Sequence, residues 1–358
     1  VSAVPSRILI VRLSHLGDVV QTLPLFHALR VEFPAARIAW AIQPEFAGLL
    51  EGLPGLERIV PFDRRGGAGA WWRLARELEH FGADWTVDAQ GNVKSAMVAL
   101  CARAARRSGY ATIDWRERFA AGSVTDPCPR GSAREHAVER VLRLARHVAP
   151  SAGRSPRFDT GLSATEIDAA DRRLTTLVRA DRGSLLHLSH PGDVRAWPIE
   201  NFAALARARA DHAPVVIVSG PGEVEHGRAL QREIRDPRVT HVVGQRGLRE
   251  LAALFTACAR RGMTFVGCDS GPMHLAWSAG MRVVLLAGPQ DERRTGPYPP
   301  GSPHDALRAE LAPPCAPCLS RRCSHASGPV CMTGVRPAQV AAALAITRAT
   351  SRGSATGS

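Results

Sequence analysis

The residues of this chain best placed to do chemistry are polar groups that directly follow apolar, strand-like runs. The first such stretch is VRLSHLGDVVQTLP, Val11 to Pro24, where an apolar run breaks into a polar turn ending in Gly17–Asp18 before an apolar helix pattern begins. Gly17 permits a tight or positive-φ turn. Asp18 then reads either as a helix-start acid worth about 1 kcal/mol or as a general base. A phosphate cradle would want glycines and a lysine there, not a negative charge.

Four more segments share this placement. In GCDSGPMH, Gly267 to His274, Asp269 and Ser270 offer capping oxygens, Gly271 lets a ligand approach the backbone and Pro272 suits a first helical turn. Such a terminus attracts anions, although a well-capped helix without a ligand has the same sequence. The apolar continuation explains the helix but not His274. In HLSHPGDVRAWP, Arg195 could hold a diphosphate through paired hydrogen bonds or form a surface ion pair. In SGPGEVE, Ser219 to Glu225, a carboxylate could accept from ribose hydroxyls or simply open a helix. DAQGNVKS, Asp88 to Ser95, contains Lys94, the only lysine in the chain.

The eight cysteines fall into two groups. Cys101, Cys128, Cys258 and Cys268 are scattered and read as ordinary buried thiols. Cys315, Cys318, Cys323 and Cys331 form C-x2-C-x4-C-x7-C in a loop rich in Pro and Ser, which suits structural zinc or iron or four reduced thiols. A metal closed by four thiolates has no open position and would not be catalytic.

These segments need strands to hold them. Apolar runs Arg7–Leu13, Arg37–Gln43, Ile59–Phe62 and Asp84–Ala89 predict strands in the first half, with helices between, such as Trp71–Phe81. Ser184–Ser189, Ala213–Ser219, Val239–Val243, Thr264–Gly267 and Arg282–Ala287 repeat the rhythm in the second half. Strands alternating with helices imply parallel sheets with right-handed crossovers. The expectation is an α/β chain of two doubly wound domains, residues 1–165 and 166–349, with the connection beginning near Ala149–Arg157 (APSAGRSPR). The low-complexity tail from Thr350 is expected to be disordered.

Bulk properties narrow the function. At 358 residues and 45% hydrophobic content the chain can bury two cores. A net charge of +13 favours anionic partners. Only 5% aromatic residues leave little to stack on bases, so nucleic acid is not expected as a partner. No apolar run is long enough to span a bilayer, and the opening residues lack an export-signal pattern. The expected address is the cytoplasm.

In order and spacing, RILIVRLSHLGDVVQTLP, DAQGNVKSA, EHAVERVLRL (Glu135–Leu144), Arg195 with Trp197–Pro198, GCDSGPMHLAWSAG, GPQDERRTGPYP and the cysteine-bearing end resemble glycosyltransferase family 9, the lipopolysaccharide heptosyltransferases. The resemblance implies a GT-B fold: two facing Rossmann-like domains, with the C-terminal helix crossing back to the first. It implies inverting transfer of heptose from ADP-heptose to the inner core of lipopolysaccharide, without a cofactor. Asp18 would be the general base. Arg195 (where the family usually has lysine), Glu225, Asp269, Ser270, Gly271 and His274 would bind the nucleotide sugar. Gly17, Lys94, Arg116 and His136 would bind the acceptor. The partners implied are an ADP-sugar donor, an anionic lipid-linked glycan and the inner face of the inner membrane. A sugar-nucleotide epimerase and a non-catalytic sugar-nucleotide-binding protein remain alternatives on the sequence alone.

Overall fold

The structure is a computed structural model that describes residues 4–346 apart from 116, 133, 154–155, 179–180, 246 and 302. Arg116 and the tail from Thr350 lie outside the described residues. The chain divides into two compact units, one running to Glu166 and including Gly247–Ala253, the other holding the rest. Arg249 ties its segment to the first unit, donating to the carbonyls of Thr160 (3.2 Å) and Gly161 (2.8 Å) and pairing with Glu166.

The first unit is built on strands β1 (Arg7–Val11), β2 (Arg37–Ile42), β3 (Leu56–Pro61), β4 (Trp85–Asp88), β5 (Arg106–Gly109) and β6 (Asp126–Pro127). All pair in parallel, in the order β3-β2-β1-β4-β5-β6. Its helices are α1 (Leu16–Glu32), α2 (Pro44–Ala47), α3 (Gly67–Phe81), α4 (Val93–Cys101) and α5 (Ala137–Val148). The runs RILIV and RIAWAI are apolar at almost every position because helices cover both faces of the sheet. One layer is α3 with α4: Ala70, Leu74, Leu78 and Phe81 form a helical stripe against Leu9, Val11 and Ala39. Gly82, at φ 62°, ends α3 in the left-handed conformation that favours glycine.

The second unit repeats the plan with β7 (Ser184–His187), β8 (Val215–Val218), β9 (Val239–Val242), β10 (Thr264–Cys268), β11 (Arg282–Leu286) and β12 (Asp305–Leu307). The order is β12-β11-β10-β7-β8-β9, again all parallel. Its helices are α6 (Ala164–Leu177), α7 (Ile199–Ala210), α8 (Val224–Glu233), α9 (Leu248–Arg260), α10 (Gly271–Ser278), α11 (Glu292–Thr295), α12 (Val330–Thr333) and α13 (Pro337–Ala345), α6 and α9 each beginning in the first unit. The nine apolar runs read as strands are all strands. Strands β5, β6 and β12 escape sequence reading because they are short, and neither RRSG nor DP forms an apolar run. Strand β5 is held by hydrogen bonds instead: Trp85 Nε1 donates to Ser108 Oγ (2.8 Å), which donates to Asp126 Oδ2 (2.6 Å).

The last described helix packs within the second unit. Over Pro337–Ala345, α13 buries Val340 and Ala343 with Leu205 and Ala206 of α7, within its own unit.

In each sheet the chain winds away from the centre in both directions, so each has one switch point. It lies between β1 and β4 in the first unit and between β7 and β10 in the second. Loops leaving neighbouring strands diverge there and open a crevice at the carboxyl ends. All of the chemistry-bearing loops after β1, β4, β7 and β10 start at these two points.

Candidate active site

In the first unit, Val11 lies opposite Asp88 across the β1–β4 ladder. The loops that follow are laced together: Ala89 N donates to Val11 O (3.1 Å), Leu13 N to Gln90 Oε1 (2.7 Å), and Arg12 Nη1 to Ala89 O. From below, Trp40 Nε1 donates to Arg12 O at 3.2 Å.

Asp18 is the third residue of α1 and accepts from the His15 backbone N at 3.1 Å, as a helix-start acid should. It also meets Arg12 Nη2 at 2.8 Å, with the Arg12 side chain largely buried and that of Asp18 37% exposed. Burial pushes the Asp18 carboxyl upward, but the Arg12 charge and the hydrogen bonds from His15 outweigh it and hold the acid well below its ordinary range. Asp18 is therefore ionised at any physiological pH and still reaches solvent. Gly17 sits in the first turn of α1 and is not among the glycines with positive φ.

Arg12 and Asp88 were not singled out from the sequence. Asp88 is buried; its Oδ1 accepts from Gln90 N (2.8 Å) and Gly91 N (3.0 Å), while Oδ2 has no partner among the described residues. Burial raises its pKa. The available signal was a charged residue closing an apolar strand.

Of the acceptor candidates, Lys94 is exposed on the first turn of α4. His136 is buried and caps α5, its Nδ1 accepting from Val138 N at 3.1 Å.

In the second unit the structure brings Arg195, Asp269, Ser270, Gly271 and His274 together. Arg195 reaches from the β7–α7 loop to donate through Nη1 to Asp269 O at 2.8 Å. Asp193 also grips it, with Oδ1 accepting from Nε (2.9 Å) and Oδ2 from Nη2 (2.6 Å). That pairing raises the Arg195 pKa and leaves two of the five guanidinium N–H groups for a ligand. Trp197 anchors the loop, donating through Nε1 to Val335 O (2.8 Å) and meeting Phe202 edge to face.

Asp269 is buried, with Oδ2 accepting from Thr295 Oγ1 (2.9 Å) and Oδ1 facing His274 Nε2 (3.3 Å). Trp277 Nε1 donates to His274 Nδ1 at 3.3 Å, which leaves the imidazole proton on the nitrogen facing Asp269. His274 thus braces the Asp269 turn. Ser270 caps α10 without a side-chain hydrogen bond, so its hydroxyl and the Gly271 N–H stand at the positive end of the helix.

Glu225 is not brought to this cluster. Its side chain is 84% exposed and pairs with Arg228 one turn along α8. The buried acid is Glu223, two residues earlier, whose Oε2 accepts from Gly220 N at 2.8 Å at the end of β8. A 3-10 turn over Pro221–Glu223 directs it inward, and residue spacing alone could not distinguish the two acids.

All eight cysteines are free thiols. Cys315, Cys318 and Cys323 are exposed and Cys331 is buried on α12. Burial raises the Cys331 thiol, and the charges of Cys318, Cys323 and Cys315 act in the same direction. Among the described residues no group of three or more His, Cys, Asp or Glu is gathered as a metal-holding set.

Two Rossmann-like α/β units, each presenting polar loops at its switch point, make up the architecture of GT-B glycosyltransferases. The family model for glycosyltransferase family 9 (heptosyltransferase) matches residues 71–327. Lipopolysaccharide heptosyltransferase 1 of Pseudomonas aeruginosa is 26% identical, over 94% of this chain and 97% of that protein. Lipopolysaccharide heptosyltransferase 1 of Escherichia coli K12 is 28% identical, over 82% and 91%. The solved structure of E. coli ADP-heptose lipopolysaccharide heptosyltransferase II superimposes with a TM-score of 0.72 at 20% identity, covering 94% of this chain and 97% of that one. The chain belongs to glycosyltransferase family 9 and is a glycosyltransferase.

Proposed function

We propose that the protein moves a heptose from ADP-heptose to the inner core of lipopolysaccharide, or to a related anionic lipid-linked glycan, with inversion and with Asp18 as general base. The observation that carries this reading is an ionised, solvent-reaching carboxylate at one switch point and a gathering of anion donors at the other. The relatives' names supply heptose and lipopolysaccharide.

Asp18 accepts the proton of the acceptor hydroxyl as that oxygen bonds to the anomeric carbon. The bond to the diphosphate oxygen breaks, and ADP leaves with the electron pair. A weakly basic carboxylate suffices because the hydroxyl becomes strongly acidic as its new bond forms. The two remaining N–H groups of Arg195, the Ser270 hydroxyl and the Gly271 amide meet the charge that develops on the diphosphate. Asp193 holds the guanidinium in position, and Asp269 and His274 hold the turn. Glu223, rather than Glu225, is the acid suited to the ribose. Lys94, Arg116, His136 and Gly17 form the acceptor side. The lipid-linked acceptor brings the enzyme to the inner face of the inner membrane. No step needs a metal or cofactor.

Asp18→Asn should abolish transfer while ADP-heptose binding stays near the wild-type affinity; an active D18N enzyme overturns the assignment. A turnover panel of ADP-, UDP- and GDP-sugars tests the donor.

A structural zinc or iron on Cys315, Cys318, Cys323 and Cys331 is a separate proposal, supported by their spacing in the sequence. Metal analysis of protein purified under reducing conditions should find one equivalent, and metal-free protein overturns it.

A further inference from the structure

Beyond Lys94, the outer face of α4 carries exposed apolar side chains that the reaction does not use. Met97 and Leu100 lie three residues apart, hence on one side of the helix, and are 43% and 51% exposed. The 3-10 turn Arg118–Ser123 packs against α4 and presents Phe119 at 80% exposure. Single exposed apolar side chains are ordinary. Here three occur on adjoining elements, and the charges around them share one sign.

Lys94 opens α4, Arg103 follows its end and Arg118 adjoins Phe119; all three are exposed. None of them forms an ion pair among the described residues. Residues 93–123 contain six basic and two acidic side chains. Both acids are engaged: Asp114 pairs with Arg143 at 3.1 Å, and Glu117 accepts from Val93 N at 3.4 Å.

We propose that this face docks on an anionic lipid bilayer. Met97, Leu100 and Phe119 enter the boundary between headgroups and acyl chains, while Lys94, Arg103 and Arg118 meet lipid phosphates. Charge complementarity selects this occupant, since a wholly apolar partner would leave three cations desolvated and unpaired. Helix α4 begins directly after the Asp88–Asn92 loop at the switch point, so docking would hold that ligand-bearing edge near the membrane surface. The purpose of docking rests on the lipid-linked acceptor proposed above; the docking itself does not.

Flotation of the full chain with acceptor-free vesicles tests it, using phosphatidylcholine alone and phosphatidylcholine mixed with phosphatidylglycerol. Wild type should float with the mixed vesicles, far less with the neutral ones, and less as salt rises. Leu100→Ser with Phe119→Ser should lower partitioning about ten-fold or more. Arg103→Gln with Arg118→Gln should lower it about five-fold per charge. These positions are exposed, and an unchanged circular dichroism spectrum and Tm would show that the variants fold. Wild type that fails to float, or folded variants that float as wild type does, overturns the proposal. So does sedimentation velocity showing that L100S/F119S dissociates an oligomer, because the face would then serve a second copy. Wild type that floats but transfers no heptose counts against the function proposed above and leaves the docking surface standing.

Discussion

Replacing Arg12 by glutamine tests how Asp18 is kept ionised. Two charges 2.8 Å apart attract with about 6 kcal/mol at an effective dielectric constant of about 20. Much of this is offset by burying the arginine, and the 37% exposure of the Asp18 side chain screens the pair further. The expected net loss of stability is about 1–2 kcal/mol at neutral pH. Because the folded pKa is depressed, that stability exists above the unfolded carboxylate value and disappears as pH falls through the folded one. The gap between the two proteins should therefore close in acid.

Without Arg12, burial is opposed by the hydrogen bonds and charge of His15. The Asp18 pKa should then rise. The checks are the carboxyl 13C shift of Asp18 against pH and the kcat–pH profile at saturating donor. Wild type should show no acid limb attributable to Asp18 near neutrality, and R12Q should acquire one at the risen value, with wild-type KM for ADP-heptose. An Asp18 titration that does not move in R12Q would refute the argument that Arg12 sets its charge.

Arg195→Ala should lower kcat/KM about 100-fold or more by removing a diphosphate donor, and Arg195→Lys should recover part of it; steady-state kinetics with ADP-heptose checks both. Glu223→Gln should weaken ADP binding in calorimetry about ten-fold, whereas Glu225→Gln, whose parent side chain points to solvent, should leave it unchanged. Trp40→Phe removes the indole hydrogen bond to the Arg12 carbonyl and should cost about 1–3 kcal/mol in urea unfolding, with a fall in kcat because the Arg12–Asp18 turn loosens.

Much of the scaffold is legible in the chain because buried parallel strands must be apolar on both faces. RILIV, RIAWAI, VVIV and RVVLL carry that constraint in their composition, and the polar turns that follow show where ligands can enter. Strands β5, β6 and β12 carry no such signature. They are edge or near-edge strands held by particular pairs, such as Ser108 with Asp126, whose partners lie well apart in sequence. Spacing likewise marked Asp18, Arg195 and the Asp269–His274 turn, since each lies within eight residues of a strand end.

What the sequence determined by itself was the local grammar: which runs are strands, which termini attract anions, and that a carboxylate stands where a phosphate-binding loop would not put one. The tertiary structure decided which charges meet. Arg12 is six residues from Asp18 but reaches it only because β1 and β4 pair and Trp40 fixes the turn. Asp193 claims two of the five Arg195 N–H groups, and a 3-10 turn sends Glu223 inward and Glu225 out. A charge acts over a few ångströms with a strength set by its surroundings, and only the folded chain fixes either.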